Sequence, residues 1–258
     1  MIKAVPNRRL PAGPSAIGGA LESAALLLGE RCAALDLLER LAVARDEVAG
    51  MIVFTTSFGI EDQAITHAIF SQDLAIDVVT LDTGRLFPET YQVWAETERR
   101  YGRRIRAVFP GHDNVEAWIA QHGVDGFQTS VAARQACCFA RKVEPLGRAL
   151  AGADAWITGL RAEQSLDRAS LSYAAVDPTH GLLKLNPLVD WQRGDVVAFV
   201  HAHHVPYNLL HDRGFLSIGC APCTRAVAPG EPERAGRWWW EHEEKKECGL
   251  HRPLAVCS

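Results

Sequence analysis

Residues 51–84, MIVFTTSFGIEDQAITHAIFSQDLAIDVVTLDTG, decide the fold. Met51–Thr56 is a short apolar run, the mark of a strand buried on both faces, and it stops at the turn Ser57-Phe58-Gly59. IEDQAITHAIFSQ then takes up a helical period, and AIDVVTLDTG is a second buried strand ending in an Asp-Thr-Gly turn. Strand, helix, strand in this length is a βαβ unit, whose right-handed crossover makes the two strands parallel.

The same alternation continues outward. PETYQVWAETERRYG (88–102) reads as a helix with Pro88 in its first turn. RIRAVFP (104–110) and AWITGL (155–160) read as the third and fourth strands. VAARQACCFARKVEPLGRALAG (131–152) between them looks helical apart from Pro145. Upstream, Ala16 to Val48 follows one helical pattern. Downstream, LSYAAVDPTHGLLKLNPLVDW suggests two short strands joined by a turn, followed by a helix from Gln192 to His203. The predicted fold is α/β: an open, mostly parallel sheet with helices on both faces. The chain divides into an N-terminal helical segment (1–48), an α/β part (49–226) and a tail (227–258) that packs on the body, one structural domain overall.

The composition of the 258 residues, 48% hydrophobic and 22% charged with a formal net charge of −4, is that of a soluble globular protein. A slightly acidic balance gives no support for non-specific nucleic-acid or membrane-surface binding. No apolar run approaches the ~20 residues of a membrane span. The basic start, MIKAVPNRRLPAGPSAIGG, has no apolar segment behind it, so no signal peptide is expected and the expected compartment is the cytoplasm. Thiols stay reduced there, and clustered cysteines point to metal or catalysis before disulfides.

The chain has seven cysteines. Cys32 reads as a small core residue, and the penultimate Cys257 as an ordinary terminal thiol. Cys137 and Cys138 are adjacent and stand just before Arg141 and Lys142 in RQACCFARKVEPL, while GCAPCT supplies Cys220 and Cys223. Four thiols in two pairs suit tetrahedral zinc or an iron–sulfur cluster. Adjacent cysteines are awkward for one zinc ion, whereas a cubane has separate metal corners for neighbours; a redox C-x-x-C beside an unrelated pair is a third reading. Cys248, between Lys245, Lys246 and His251 in EEKKECGLH, is the cysteine whose cationic surroundings favour a nucleophilic thiolate.

In such a sheet, ligands bind beyond the C-terminal strand ends. Two of those ends are polar turns, TTSFGIED and LDTGR. Ser57 and Gly59 lie where backbone N–H groups enter a helix, and Asp82, Thr83 and Gly84 form the second turn; each also reads as an ordinary helix entry. SFGIED lacks the Gly-rich cradle ending in Lys-Ser or Lys-Thr of an ATP-hydrolysing loop, and a Gly-x-Ser-x-Gly elbow is absent too. His201, His203 and His204 read as a solvated helix end, and Trp238–Trp240 as aromatics packing the tail.

Taken together, SFGIED, LDTGRLFPET, CCFARKVEPL, GLRAEQS, GCAPCT, ERAGRWWW and KKECGLH closely resemble the assimilatory adenylylsulfate reductases, relatives of the phosphoadenylylsulfate reductases. The resemblance runs in order from about residue 50 to 251. It implies an adenine-nucleotide α-hydrolase-like fold with a modified phosphate loop at Ser57–Asp62. It also implies reduction of adenosine 5′-phosphosulfate (APS) to sulfite and AMP, with a thioredoxin or glutaredoxin-like electron donor. By the same resemblance, 49–226 is a nucleotide-binding reductase domain and 227–258 a catalytic tail. Cys137, Cys138, Cys220 and Cys223 fall on the ligands of one 4Fe–4S cluster. Lys142, Arg234 and Arg237 fall on phosphosulfate contacts, Arg161 on the nucleotide side, and Cys248 on the nucleophile. A reductase preferring the 3′-phosphorylated substrate is the nearest alternative. A homo-oligomer is compatible with the resemblance, and no nucleic-acid or membrane partner is implied.

Overall fold

The structure, a computed structural model, describes residues 14–241 and Leu250. Its centre is a six-stranded sheet of β1 (Ile52–Thr56), β2 (Asp77–Leu81), β3 (Arg106–Val108), β4 (Ala155–Ile157), β5 (Ala174–Asp177) and β6 (Leu182–Leu185). The spatial order is β3-β2-β1-β4-β6-β5. Every neighbouring pair is parallel except β5 with β6, the turn-linked pair at one edge.

Strand alternation sorts the core into two faces. Ile52, Phe54, Val78, Ala155, Ile157, Leu183 and Leu185 join one large apolar cluster. It also takes in residues of helices α1 (Pro14–Cys32), α2 (Leu37–Glu47), α3 (Ile60–Ser71), α4 (Pro88–Tyr101) and α8 (Arg193–Ala202). Val53, Val79, Val108, Trp156 and Leu182 join a smaller cluster on the other face, closed by Leu146 and Ala149 of α7 (Glu144–Ala149). Cys32 is fully buried in the large cluster, in its expected role.

Three local differences from the sequence reading have physical causes. The helical pattern of Ala16–Val48 is two helices, because Asp36 caps α2: its carboxylate accepts from the Glu39 N–H, and Glu39 accepts from the Asp36 N–H. A helix not read from the sequence, α5 (His112–His122), buries only Trp118, so its period gave little signal. The segment after α6 (Val131–Cys138) widens into a π turn at Phe139–Val143 before α7 begins. Pro145 lacks the N–H that would continue the α-helical ladder, and the wide turn directly precedes it.

From Val227 onward the described chain lies on the body. Trp238 is buried, and the ring of Trp240 meets Phe127 edge-on with centroids 5.8 Å apart. His201, His203 and His204 are exposed at the end of α8, as read from the sequence. Among the described residues no helix is long and apolar enough to cross a membrane.

Candidate active site

The order of connections reverses between β1 and β4, and a parallel sheet opens a crevice at that point. A cavity of about 180 Å³ lies there, walled by Thr55–Ser57 after β1, Thr80 and Leu81 at the end of β2, and Thr158–Leu160 after β4. Gly59, Glu61 and Asp62 come from the entry to α3, Lys142 from the π turn, and Glu233, Arg234 and Arg237 from the C-terminal segment. Leu250 also lines it.

Phe58 makes the turn above β1. Its backbone is left-handed (φ 59°), an uncommon state for a bulky residue, and its fully buried ring stacks on Trp94 with centroids 5.5 Å apart. The reversal brings the Ser57 N–H and hydroxyl onto Asp62 Oδ2, at 2.6 and 2.7 Å. Burial nevertheless outweighs these two hydrogen bonds and pushes the Asp62 carboxyl up to about 6. Gly159 lies so near that a Cβ there would stand 2.2 Å from Asp62 Oδ1, so the close approach itself requires glycine.

Arg161 is not among the residues lining the cavity. It is fully buried and donates to Glu61 (3.0 Å), Glu163 (2.7 Å) and Glu233 (2.7 Å). The guanidinium ties the start of α3 to the C-terminal segment and sets the walls. Asp82, Thr83 and Gly84 are also absent from the lining. The Asp82 carboxylate accepts from the Gly84 N–H (2.8 Å) and the Tyr91 hydroxyl (2.9 Å), whose pKa burial and Asp82 together raise to about 12. The Thr83 carbonyl accepts from Arg141 (2.7 Å), and its hydroxyl lies 3.3 Å from Cys220 Sγ. This loop therefore braces a second site.

That second site is a smaller cavity lined by Cys137, Cys138, Cys220 and Cys223, with Arg85, Phe127, Arg134, Arg141 and Lys142. α6 delivers the adjacent pair, and a one-turn 3₁₀ segment, Ala221–Cys223, delivers the other; the Ala221 N–H is pinned to the Arg85 carbonyl at 2.8 Å. None of the four is in a disulfide. Burial, reinforced by the neighbouring thiols, raises Cys137 and pushes Cys223 up to about 12. Among the described residues no three His, Cys, Asp or Glu side chains are placed to share a single metal ion. The cavity is lined by four sulfur donors, no carboxylate and four cationic side chains. A four-thiolate iron–sulfur cluster carries net negative charge, and this donor set with its cationic rim fits such a group.

Lys142 lines both cavities. Cys248 lies outside the described residues, as do Cys257, Lys245, Lys246 and His251. The sequence reading missed Gln164, Arg168 and His211 as cavity walls, and Arg134 and Glu241 as a buried ion pair behind the thiols. Gln164 stood inside the quoted GLRAEQS motif, and Arg134 is the first residue of the quoted RQACCFARKVEPL; membership of a motif was the available signal.

The chain is 53% identical over 238 residues to the adenosine 5′-phosphosulfate reductase of Sinorhizobium fredii (strain USDA 257), covering 92% of this chain and 94% of that one. It is 55% identical over 219 residues to the enzyme of that name from Agrobacterium fabrum, covering 85% and 84%. The crystal structure of the phosphoadenylyl-sulfate reductase of Candida auris, a phosphate complex, superposes with a TM-score of 0.65 at 27% identity, covering 84% of this chain and 99% of that one. The sheet is thus of the adenine-nucleotide α-hydrolase-like type. Residues 51–226 match the family described as the phosphoadenosine phosphosulfate reductase domain, and the chain belongs to that family.

Proposed function

We infer that this protein is an oxidoreductase that reduces APS to sulfite and AMP, drawing its electrons from a thioredoxin or glutaredoxin-like dithiol in the cytoplasm. The observation that carries the reading is the position of Lys142, shared between the crevice at the strand switch point and a cavity of four cysteines. The names of the relatives support APS over its 3′-phosphorylated form.

In this mechanism the crevice takes the nucleotide against the Ser57–Asp62 turn. Lys142, Arg234 and Arg237 meet the phosphosulfate, whose several negative charges call for cations within reach. Cys137, Cys138, Cys220 and Cys223 would hold one 4Fe–4S cluster, which when bound polarises the site beside Lys142. The Cys248 thiolate attacks the sulfur of APS; the sulfur–oxygen bond to AMP breaks, AMP leaves, and an S-sulfocysteine remains. A donor thiolate then attacks the Cys248 sulfur, releasing sulfite and forming a mixed disulfide. The donor's second thiol resolves that disulfide, so the two electrons come from the dithiol. The tail placement is supported by Leu250, which lines the crevice two residues beyond Cys248.

The test is sulfite release with reduced thioredoxin, comparing APS with 3′-phosphoadenosine 5′-phosphosulfate. Release from APS with a clear preference over the 3′-phosphorylated form is expected. Turnover of the 3′-phosphorylated form alone would transfer the assignment to the alternative reductase.

A further inference from the structure

The indole of Trp238 contacts two guanidinium groups. Arg134 Cζ lies 4.5 Å from a ring centroid of Trp238 on one contact and Arg237 Cζ 4.7 Å on the other. The residue is 1% exposed, so both contacts are shielded from water, where cation–π attraction is strongest. The two arginines serve different cavities: Arg134 lines the cysteine cavity and Arg237 the crevice.

Their other partners differ as well. Arg134 is ion-paired with buried Glu241 and lies in hydrogen-bonding contact with the Cys138 thiol. Among the described residues Arg237 has only long hydrogen bonds, from Nη1 to Ser217 Oγ (3.4 Å) and the Ile218 carbonyl (3.5 Å), and its buried Nε has no partner. Gly219 closes its far side: a Cβ there would stand 2.3 Å from Arg237 Nη2. The Arg237 guanidinium is thus held by a ring and a glycine backbone, neither of which neutralises its charge.

The backbone shows how consecutive residues achieve this. Trp238 is left-handed (φ 45°), and its N–H donates to the Cys223 carbonyl at 3.2 Å. That reversal folds the indole back onto its own predecessor and anchors it to the C-x-x-C turn. Its indole N–H has no partner among the described residues, so the contacts the side chain makes to the two arginines are through the ring face.

We propose that Trp238 is a positioning residue: its ring holds the Arg237 guanidinium, which has no carboxylate partner among the described residues, against the sulfuryl end of the substrate. Through Arg134 it also ties that placement to Cys138. This inference rests on the reading of the crevice as an APS site.

The experiment uses the full-length, anaerobically purified protein with its cysteine-bound group in place. APS affinity is measured in a Cys248→Ser background, so that no covalent step intervenes, and kcat/KM with the Cys248 thiol present. Trp238→Leu, which keeps an apolar side chain without a π face, weakens APS binding about tenfold, equivalent to about 1.4 kcal/mol. Trp238→Phe restores most of that loss. Combined with Arg237→Ala, Trp238→Leu adds nothing further, because the ring acts through that guanidinium. Equal losses in the Phe and Leu variants, or additive losses in the double variant, overturn the proposal in favour of plain packing. Unchanged APS binding in Trp238→Leu, with normal sulfite release by wild type, overturns this inference alone. Failure of wild type to release sulfite from APS overturns the parent reading and this inference with it.

Discussion

The crevice at the ends of β1 and β4 and the cysteine cavity share a wall at Lys142 yet are assembled from different materials. The crevice is mostly main chain and short polar side chains at strand ends, and its carboxylates already have partners: Ser57 on Asp62, Arg161 on Glu61 and Glu233. The cysteine cavity has four sulfur donors and an excess of cations, its cysteines delivered by a helix that widens into a π turn and by a one-turn 3₁₀ C-x-x-C segment. In the first site the carboxylates are thus answered from within the protein. The second gathers cations around buried sulfur, and burial, reinforced by neighbouring thiols, raises Cys137 and pushes Cys223 up to about 12. One site is thus built from strand ends and their turns, the other from cysteines and cations that separate segments bring together.

The comparison can be broken most severely at Cys138. Cys138→Ser should lose iron, sulfide and sulfite release together, while the sheet and crevice still form. Wild-type protein holding one zinc and no sulfide by elemental analysis would refute the cluster and the contrast built on it.

Asp62 sharpens the crevice side. Its folded pKa of about 6 lies above the ordinary 3.8, so the folded state binds the extra proton between those values. Stability from this group is therefore complete below pH 3.8 and is lost as the pH rises through about 6. Over two pKa units the loss is about 3 kcal/mol as an upper bound. His67, lowered to about 4 mainly by burial, acts in the opposite sense, losing stability as the pH falls from 6.5. Denaturant midpoints of wild type and Asp62→Asn across pH 4–7 separate the two. The difference should shift in favour of the variant with rising pH, and a constant difference would contradict the buried carboxyl.

Arg237→Ala addresses the boundary between the regions. It should weaken APS binding about 30-fold, the ~2 kcal/mol of one charge-assisted hydrogen-bonded contact, with iron content unchanged. Unchanged APS affinity by calorimetry would remove Arg237 from the crevice chemistry.

Sequence legibility followed the same division. β1, β2 and β4 were readable because they are short apolar runs buried on both faces, and the ends of β1 and β2 announced themselves through SFGIED and LDTG. α5 escaped because one buried residue, Trp118, cannot set a helical period. The pairing of Cys137 and Cys138 with Cys220 and Cys223 was legible as chemistry. The Arg134–Glu241 pair and the Trp238 stack were not, since residues 107 positions apart in the chain meet only through the tertiary fold. Arg161 shows the limit in reverse: its motif was visible, but only the fold reveals three carboxylates around it.

The central claim is that the Cys248 thiolate takes the sulfonate group from APS before any donor thiol acts. Intact-mass measurement of the protein mixed with APS in the absence of thioredoxin tests it directly. The account predicts a gain of one sulfonate on the peptide containing KKECGLH, a matching single burst of AMP, and reversal with sulfite release on adding reduced thioredoxin. A sulfonate on Cys257, or full turnover by Cys248→Ser, would contradict it.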